Sequence, residues 1–169
     1  MSEEHVTVAG VGNILCRDDG VGVHIIRQLR SRRLPPGVSL VDAGTADIGS
    51  ILHASRARKL IVIDAVRGGG APGTVYRFPL NGIPHEDRGS MTSLHQISLY
   101  ESYLMARLVQ KEVPEVIVVG VEPQCTEFGM EVSPAVRRKY GEIMDTVLRE
   151  ITGRTEQGEP PRGGAHDRY

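Results

Sequence analysis

Short apolar runs separated by amphipathic segments extend over most of the chain. Runs rich in Val, Ile and Leu that are bounded by Gly, Pro or charged residues predict buried strands. Four runs have this character: VTVAG (6–10), VSLVD (38–42), KLIVIDAV (59–66) and VIVVGVEP (116–123). A fifth segment, TVYRF, predicts a strand at the edge of the sheet, because Pro79 follows it. KLIVIDAV is almost continuously apolar, which is typical of a strand covered on both faces.

The segments between these strands carry helical periodicity. VGVHIIRQLRSR places Val21, Ile25 and Leu29 on one apolar stripe, and two prolines after it end the pattern. Three more helices are predicted: a short one within residues 44–57, one that begins near Ser93 or His95 in SLHQISLYESYLMARLVQK, and a last one in SPAVRRKYGEIMDTVLREI, with Ser133 as N-cap and Pro134 at its first position. Alternating strands and helices predict an α/β fold, a three-layer sandwich whose twisted, mostly parallel central sheet of about five strands is flanked by helices.

Length and composition are those of one ordinary globular domain. The chain has 169 residues, of which 40% are apolar and 24% charged. We expect a single α/β domain over residues 1–152. Residues 153–169 contain few apolar side chains, so this tail is expected to be flexible. The irregular segment at residues 79–94 is long for a loop inside a compact domain, and such loops often carry function.

Charge and hydropathy exclude several kinds of partner. With 20 basic and 21 acidic residues the chain has no basic footprint for nucleic acid. The basic run RQLRSRRL fits the end of a helix. No apolar stretch approaches the length of about 20 residues that a membrane span needs, and the acidic MSEEHVTVAG is no signal peptide. Cys16 and Cys125 form no metal-binding pair in sequence, so we expect two unpaired thiols and a cytoplasmic protein.

The most informative stretch is VTVAGVGNILCRDDGVGVHII, which places two glycines and then two carboxylates after a strand. Gly10 and Gly12 resemble the start of a dinucleotide-binding turn, but Leu15 stands where the third glycine should be. Asp18 and Asp19 would oppose a bound phosphate. An acid that could contact a ribose does follow the second strand, at Asp42. Nucleotide binding by a Rossmann-like module is therefore an alternative with weak support.

A cation site explains the same acids better. If the strand order is 2-1-3, the carboxyl ends of the first and third strands are neighbours, and ligands bind in that crevice. One carboxylate from Asp18 or Asp19 would then meet Asp64, and His95 could complete the set from the start of its helix. A site of two carboxylates and one imidazole suits zinc or nickel better than magnesium, and it leaves coordination positions open for substrate or water.

Each of these residues also has an ordinary structural interpretation. Asp19 is compatible with a turn acid, His95 with an exposed residue at a helix start, and Asp64 with an acceptor for backbone N–H groups. Asp64 is the hardest to explain in this way, because a charge inside an apolar run costs heavily unless it is paired. The three together, placed by one topology, favour a site.

Four blocks of the sequence resemble the endopeptidases that mature nickel–iron hydrogenases. The blocks are GVGNILCRDDGVGVHII, LIVIDAV, SLHQISL and VVGVEPQC with a downstream GMEVSPAV. They keep the family's order and spacing over about residues 6–150. The segment DAGT is similar to a further loop of the family, in which Asp, a variable residue, Gly and Thr follow one another.

The resemblance implies a function and a set of residues. Members of this family trim a C-terminal extension from the hydrogenase large-subunit precursor after nickel insertion. Carried onto this chain, their metal-contacting and catalytic positions are Asp19, Asp64 and His95, and the first of these is often Glu in the family. The substrate-recognition segment becomes Asp42, Gly44 and Thr45. The nickel is supplied by the precursor, and we expect another divalent metal to be able to occupy the site in the isolated protein.

The resemblance leaves the mechanism open. The metal would either only position the substrate, or polarise the scissile carbonyl or activate water. An acid–base route through Asp19 or Asp42 is a further alternative. The sequence has neither a Ser-His-Asp arrangement at a nucleophile elbow nor an HExxH motif. No histidine is tied to Cys16 by a motif, which makes it a poor nucleophile candidate. A metal-sensing adaptor without catalysis is the remaining hypothesis.

Overall fold

A computed structural model describes residues 5–46, 48–54, 57–82, 94–109 and 112–153. The strands are β1 (Val6–Val11), β2 (Val38–Gly44), β3 (Lys59–Ala65), β4 (Val75–Pro79) and β5 (Glu115–Val121). The helices are α1 (Val21–Leu29), α2 (Ile48–Ala54), α3 (Leu94–Val109), α4 (Pro134–Arg137) and α5 (Tyr140–Thr152). Short 3-10 turns cover Arg17–Gly20 and Leu80–Gly82.

The five strands form one sheet in the order β2-β1-β3-β5-β4. The first four are parallel, and β4 pairs with β5 in the antiparallel direction at the edge. The predicted α/β sandwich and its edge strand are therefore confirmed, although the edge strand includes Pro79 as its last residue. The first three strands have the 2-1-3 order on which the cation-site hypothesis depended. The parallel arrangement places the carboxyl ends of β1 and β3 side by side, where ligands bind in open α/β sheets.

Apolar side chains cover both faces of the sheet. On one face, α1 and α5 pack Ile25, Leu29 and Ile143 against β1, β3 and β5. On the other face, α2 and α3 pack residues such as Leu52 and Leu99 against the same strands. Fully burying one side chain of this kind contributes about 1.5–3 kcal/mol, so the two layers supply the main stabilisation of the sandwich.

The first turn of α1 lies unusually close to the sheet. A Cβ atom on Gly22 would lie 2.2 Å from the carbonyl oxygen of Ile63, so only glycine fits there. This contact sets the start of α1 directly against the end of β3, where Asp64 follows Ile63. The glycines of the opening motif therefore position the acidic turn next to the third strand.

The last helix differs from its prediction. It divides into α4 and α5, because the backbone N–H of Lys139 donates to the carbonyl of Val136 at 2.9 Å, three residues back, and interrupts the α-helical ladder. The N-cap is as predicted: the Ser133 hydroxyl accepts from the backbone N–H of Val136 at 3.4 Å. The first helix ends at Leu29 instead of residue 32, and β2 continues to Gly44.

Further predictions concern the two cysteines, membrane spans, the 79–94 segment and the tail. Cys16 and Cys125 are free thiols, as expected. Among the described helices, none has the length and apolar character required to cross a membrane. Most of the irregular 79–94 segment, residues 83–93, lies outside the described residues, as does the predicted flexible tail from residue 154 onward. The division into one domain and a tail stays a prediction.

Candidate active site

Asp64 is a buried carboxylate near the carboxyl end of β3. Its exposed fraction is 3%. Because side chains alternate along a strand, it points to the face covered by α2 and α3, like Leu60 and Val62. Its Oδ1 atom accepts a hydrogen bond from the backbone nitrogen of Ala65 at 2.8 Å.

Burial raises the pKa of the Asp64 carboxyl to about 7, the negative charge of Asp19 adds to this rise, and the hydrogen bond from Ala65 opposes it. At neutral pH this group is therefore near the midpoint of its titration. A cation that approaches this group would stabilise its charged form.

Asp19 lies in the 3-10 turn that follows β1. Its Oδ2 atom accepts a hydrogen bond from the backbone nitrogen of Asn13 at 2.8 Å, so the side chain is fixed against the glycine turn. Gly12 has φ of 124°, and a Cβ atom there would lie 1.7 Å from the carbonyl oxygen of Asp19. Glycine at this position is what allows the Asp19 backbone to pass so close.

Asp18 has a different role from its neighbour. It has no exposed surface, and its carboxylate accepts three backbone hydrogen bonds. Oδ1 accepts from Ser133 at 2.7 Å, and Oδ2 accepts from Gln124 at 2.8 Å and Cys125 at 3.1 Å. Asp18 thereby ties this turn to both ends of segment 124–133. Asp19 is therefore the acid left to face Asp64.

The turn does not have the form of a phosphate cradle. The backbone N–H of Gly12 donates to the carbonyl of Gly44 at 2.8 Å, and that of Asn13 donates to Asp19. Those of Leu15 and Cys16 donate to the side chain and the carbonyl of Asn13. Phosphate binding by such a turn uses free amide donors, and here these four donors are already bonded within the protein. The geometry therefore speaks against the nucleotide-binding alternative.

His95 is the second residue of α3, and its side chain lies outside the described part of the structure. The topology places its backbone near the same edge of the sheet as Asp64. Because α3 leads into β5, which starts at the amino edge of the parallel sheet, α3 begins near the carboxyl edge. It also covers the face to which Asp64 points. Among the described side chains no group of three metal-ligating residues occurs, and His95 is not among them.

The residues of DAGT divide between two places. Asp42 shares the α1 face of β2 with Val38 and Leu40, and its Oδ2 lies 3.7 Å from Nε of Arg27. It thus points to the opposite face of the sheet from Asp64. Gly44 has φ of 52°, and its carbonyl bonds to Gly12, so Gly44 and the exposed Thr45 lie beside the glycine turn.

A further buried acid, Glu122, was not predicted from the sequence. Its Oε2 atom accepts from the hydroxyl of Tyr76 at 2.7 Å and from the backbone nitrogens of Gly68 at 2.7 Å and Gly70 at 3.3 Å. Burial and this hydrogen bond to Glu122 raise the pKa of Tyr76 to about 12. Glu122 thereby fixes the glycine-rich loop that follows Asp64. Its signal was available: like Asp64, it is an acid at the end of an apolar run.

Two carboxylates at the carboxyl ends of neighbouring strands, one of them buried, match what the four sequence blocks led us to expect. A model of hydrogenase maturation proteases matches residues 23–150 of the chain. The chain belongs to the hydrogenase maturation protease family. The matched range contains Asp64 and His95 and begins after Asp19.

Individual relatives agree with this assignment. The chain is 32% identical to the hydrogenase expression/formation protein HupM of Azotobacter chroococcum mcd 1 over 166 residues, covering 97% of this chain and 79% of that one. The structure is similar to the hydrogenase maturating endopeptidase HybD from E. coli, with a TM-score of 0.75 and 28% identity over 89% of this chain and 93% of that one. The [NiFe] hydrogenase maturation protease HybD from Thermococcus kodakarensis, at 21% identity and a TM-score of 0.73, has the same fold. The protein is thus a protease that acts in hydrogenase processing.

Proposed function

We propose that this protease removes the C-terminal extension of a nickel–iron hydrogenase large-subunit precursor after nickel insertion. In this proposal Asp19, Asp64 and His95 contact the nickel that the precursor carries. The observation that carries the proposal is the state of Asp64, a carboxylate buried beside a second acid. Family membership supports the hydrogenase part of the proposal, and the chemistry of the acids supports the metal part.

The two acids are suited to a cation that arrives with the substrate. Among the described residues no basic side chain forms an ion pair with Asp19 or Asp64. Their mutual repulsion contributes to the raised pKa of Asp64. A divalent ion would relieve this repulsion, and Asp64 would release its proton as the ion binds. Carboxylate oxygens with an imidazole nitrogen are suitable ligands for nickel, and zinc is the most informative substitute in the isolated protein.

In this proposal the metal makes cleavage conditional on a finished substrate. A precursor that carries nickel would be held by the acids so that its tail lies in the crevice, whereas an empty precursor would gain no such contact. Gly44 and Thr45, beside the glycine turn, would contact the adjoining polypeptide. Hydrolysis then follows one of two routes, in which either the metal polarises the peptide carbonyl or a carboxylate accepts a proton from the attacking water.

The proposal is tested by incubating the purified protein with nickel-loaded and nickel-free precursor and following the mass of the large subunit. We expect the loaded form alone to lose its extension. Cleavage of both forms alike would refute recognition through nickel. Tight binding of the loaded precursor without any cleavage would instead support the non-catalytic adaptor.

A further inference from the structure

The described residues expose six large apolar side chains, and these fall into two groups. Met105, Leu108 and Val109 lie together near the end of α3. Leu15, Phe128 and Met130 come from two loops that are distant in sequence, with exposed fractions of 43%, 81% and 67%. Single exposed apolar residues are normal on protein surfaces, but contiguous groups mark sites of interaction.

The loops that carry Leu15, Phe128 and Met130 are bonded to each other. The backbone N–H of Gly129 donates to the carbonyl of Leu15 at 2.8 Å, and the N–H of Arg17 donates to the carbonyl of Gly129 at 2.8 Å. These bonds form a short parallel bridge between Cys16 and Gly129. The three exposed side chains therefore flank one bridge and form one surface, which we call the rim surface.

The rim surface is held in place before any partner binds. The carboxylate of Asp18 anchors Gln124 and Cys125 at one end of the loop and Ser133 at the other. Arg17 adopts φ of 50°, which is uncommon for a residue with a side chain. Such a conformation persists only where the surroundings determine it, as they do here. A fixed loop loses less conformational freedom when it binds, so it can present apolar side chains to a partner efficiently.

The rim surface borders the candidate active site. Asp18, which anchors the loop, is adjacent to Asp19 in the same turn, and Leu15 lies four residues before Asp19. Exposed charged residues, Arg17, Glu127 and Glu131, lie next to these apolar residues in the same two loops. An apolar centre with a polar border is typical of a protein-binding surface. Aromatic and methionine side chains are also enriched at such surfaces, and methionine adapts its shape to different partners.

A protease must hold its substrate on both sides of the bond that it cleaves. An extended peptide advances about 3.3 Å per residue, so a few residues suffice to reach from Asp19 to the rim surface. Within the described structure, no hydrogen bonds link the other exposed group, near the end of α3, to the turn that carries Asp18 and Asp19. The occupant that the geometry favours is therefore the substrate polypeptide itself.

We propose that Leu15, Phe128 and Met130 bind an extended apolar segment of the hydrogenase precursor next to its cleavage site. The inference rests on the proposed function. It adds an apolar contact to the recognition of nickel, so the enzyme recognises the polypeptide as well as the metal. Phe128 is the principal anchor, because it is the most exposed of the three and has the largest apolar surface.

The test compares Phe128→Ala and Met130→Ala, singly and together, with the double variant Met105→Ala/Leu108→Ala as matched control. With nickel-loaded precursor we expect KM to rise about tenfold or more in the double rim variant, since an interface anchor contributes at least a factor of this size. The value of kcat should stay within about twofold, because docking contributes equally to the ground and transition states. The α3 variant should behave like the unaltered enzyme.

The outcomes separate the two proposals. If the unaltered enzyme fails to process the loaded precursor, the proposed function is wrong. If the unaltered enzyme processes the precursor but the rim variants have an unchanged KM, only the docking surface is refuted. The same holds if KM rises as much in the α3 variant as in the rim variants. A dimer of the free enzyme that the rim variants dissociate, measured by sedimentation, would assign the surface to a second copy of this chain. Thermal unfolding of each variant verifies that the fold is retained.

Discussion

The carboxylate of Asp18 accepts a hydrogen bond at 2.7 Å from the backbone nitrogen of Ser133, although 115 residues separate the two in sequence. The same side chain also binds the backbone nitrogens of Gln124 and Cys125. One buried acid in the glycine turn thus organises the loop that ends where α4 begins. The stability of the turn and the stability of this loop are coupled through it.

Asp18→Asn should destabilise the protein by about 2–4 kcal/mol, because an amide group cannot accept all three bonds and leaves buried donors unsatisfied. Urea unfolding measures the loss, and hydrogen exchange should show weaker protection at Gln124 and Cys125. Asp145→Asn, on the exposed side of α5, is the control and should leave the midpoint unchanged. Equal stability of the Asp18 variant and the unaltered protein would contradict the coupling.

Asp64→Asn should stabilise the metal-free protein at alkaline pH. The folded-state pKa of Asp64, about 7, lies above its ordinary value of 3.8, so the unfolded chain releases its proton first. The free energy of unfolding therefore decreases as pH rises from about 4 to 7. Asparagine cannot ionise, so the variant does not lose this stability. The gain at pH 8 should be a few kcal/mol at most, since one pKa unit corresponds to about 1.4 kcal/mol.

Unfolding of both proteins at pH 5 and pH 8 provides the measurement for Asp64. The stability advantage of the variant over the unaltered protein should be clearly larger at pH 8 than at pH 5, because most of the loss accumulates between these two values. A difference that does not depend on pH would show that Asp64 does not titrate in the folded state as described.

Glu150→Gln should destabilise the far end of the sheet. Glu150 is 2% exposed, and its carboxylate lies 2.8 Å from Nζ of Lys59 and 2.8 Å from Nε of Arg77. Removing its charge takes the paired carboxylate away from Arg77 and leaves Lys59 with only the longer pair to Glu115 at 3.9 Å, at a cost of about 2 kcal/mol or more. Glu142→Gln is the control, because its pair with Lys139 is half-exposed and such pairs contribute about 0–1 kcal/mol.

Glu150 also makes a pH-dependent contribution of known sign. Burial alone would raise its pKa, but hydrogen bonds from Arg77 and Lys59 outweigh burial and lower the pKa below its ordinary 4.5. Its contribution is therefore complete above about pH 4.5 and is lost as the pH falls through the lowered folded-state value. Acid unfolding of Glu150→Gln should show a smaller dependence on pH in this range than the unaltered protein does.

Tyr76→Phe should loosen the loop after Asp64. The hydroxyl of Tyr76 donates to Glu122 at 2.7 Å and accepts from the backbone nitrogen of Gly70 at 2.9 Å. Losing a hydrogen bond to a charged acceptor costs about 1.5–3 kcal/mol. Hydrogen exchange at Gly68 and Gly70 should become faster, with the amide of Ile61 in β3 as internal reference. Unchanged exchange at both glycines would show that the Tyr76 hydroxyl does not hold this loop.

The fold was predictable because its signals are local. Continuous apolar runs identify strands covered on both faces, and KLIVIDAV and VIVVGVEP are both such strands in the structure. The order of the first three strands was only a condition of the cation-site hypothesis, and the structure meets that condition. The break between α4 and α5 was not predictable, since it arises from one 3-10 bond at Lys139 and leaves the amphipathic pattern intact.

The site was only partly predictable, because sequence does not show where a side chain points. Asp18 and Asp19 follow the same strand, and only the structure shows that Asp18 is the one whose carboxylate binds backbone amides of a loop more than 100 residues away. Asp42 of β2 pairs with Gly10 of β1, but the alternation of side chains along the strand directs it to the α1 face. The set of Asp19, Asp64 and His95 stays a prediction.

The most direct test of the central claim is the mass of nickel-loaded precursor after incubation with the unaltered enzyme, Asp64→Asn and His95→Ala. The account predicts that the unaltered enzyme removes the C-terminal extension and that both variants, although folded, leave the precursor at full length. Asp145→Asn should process the precursor normally. Normal processing by Asp64→Asn and His95→Ala would contradict the proposal that these residues read the nickel and enable cleavage.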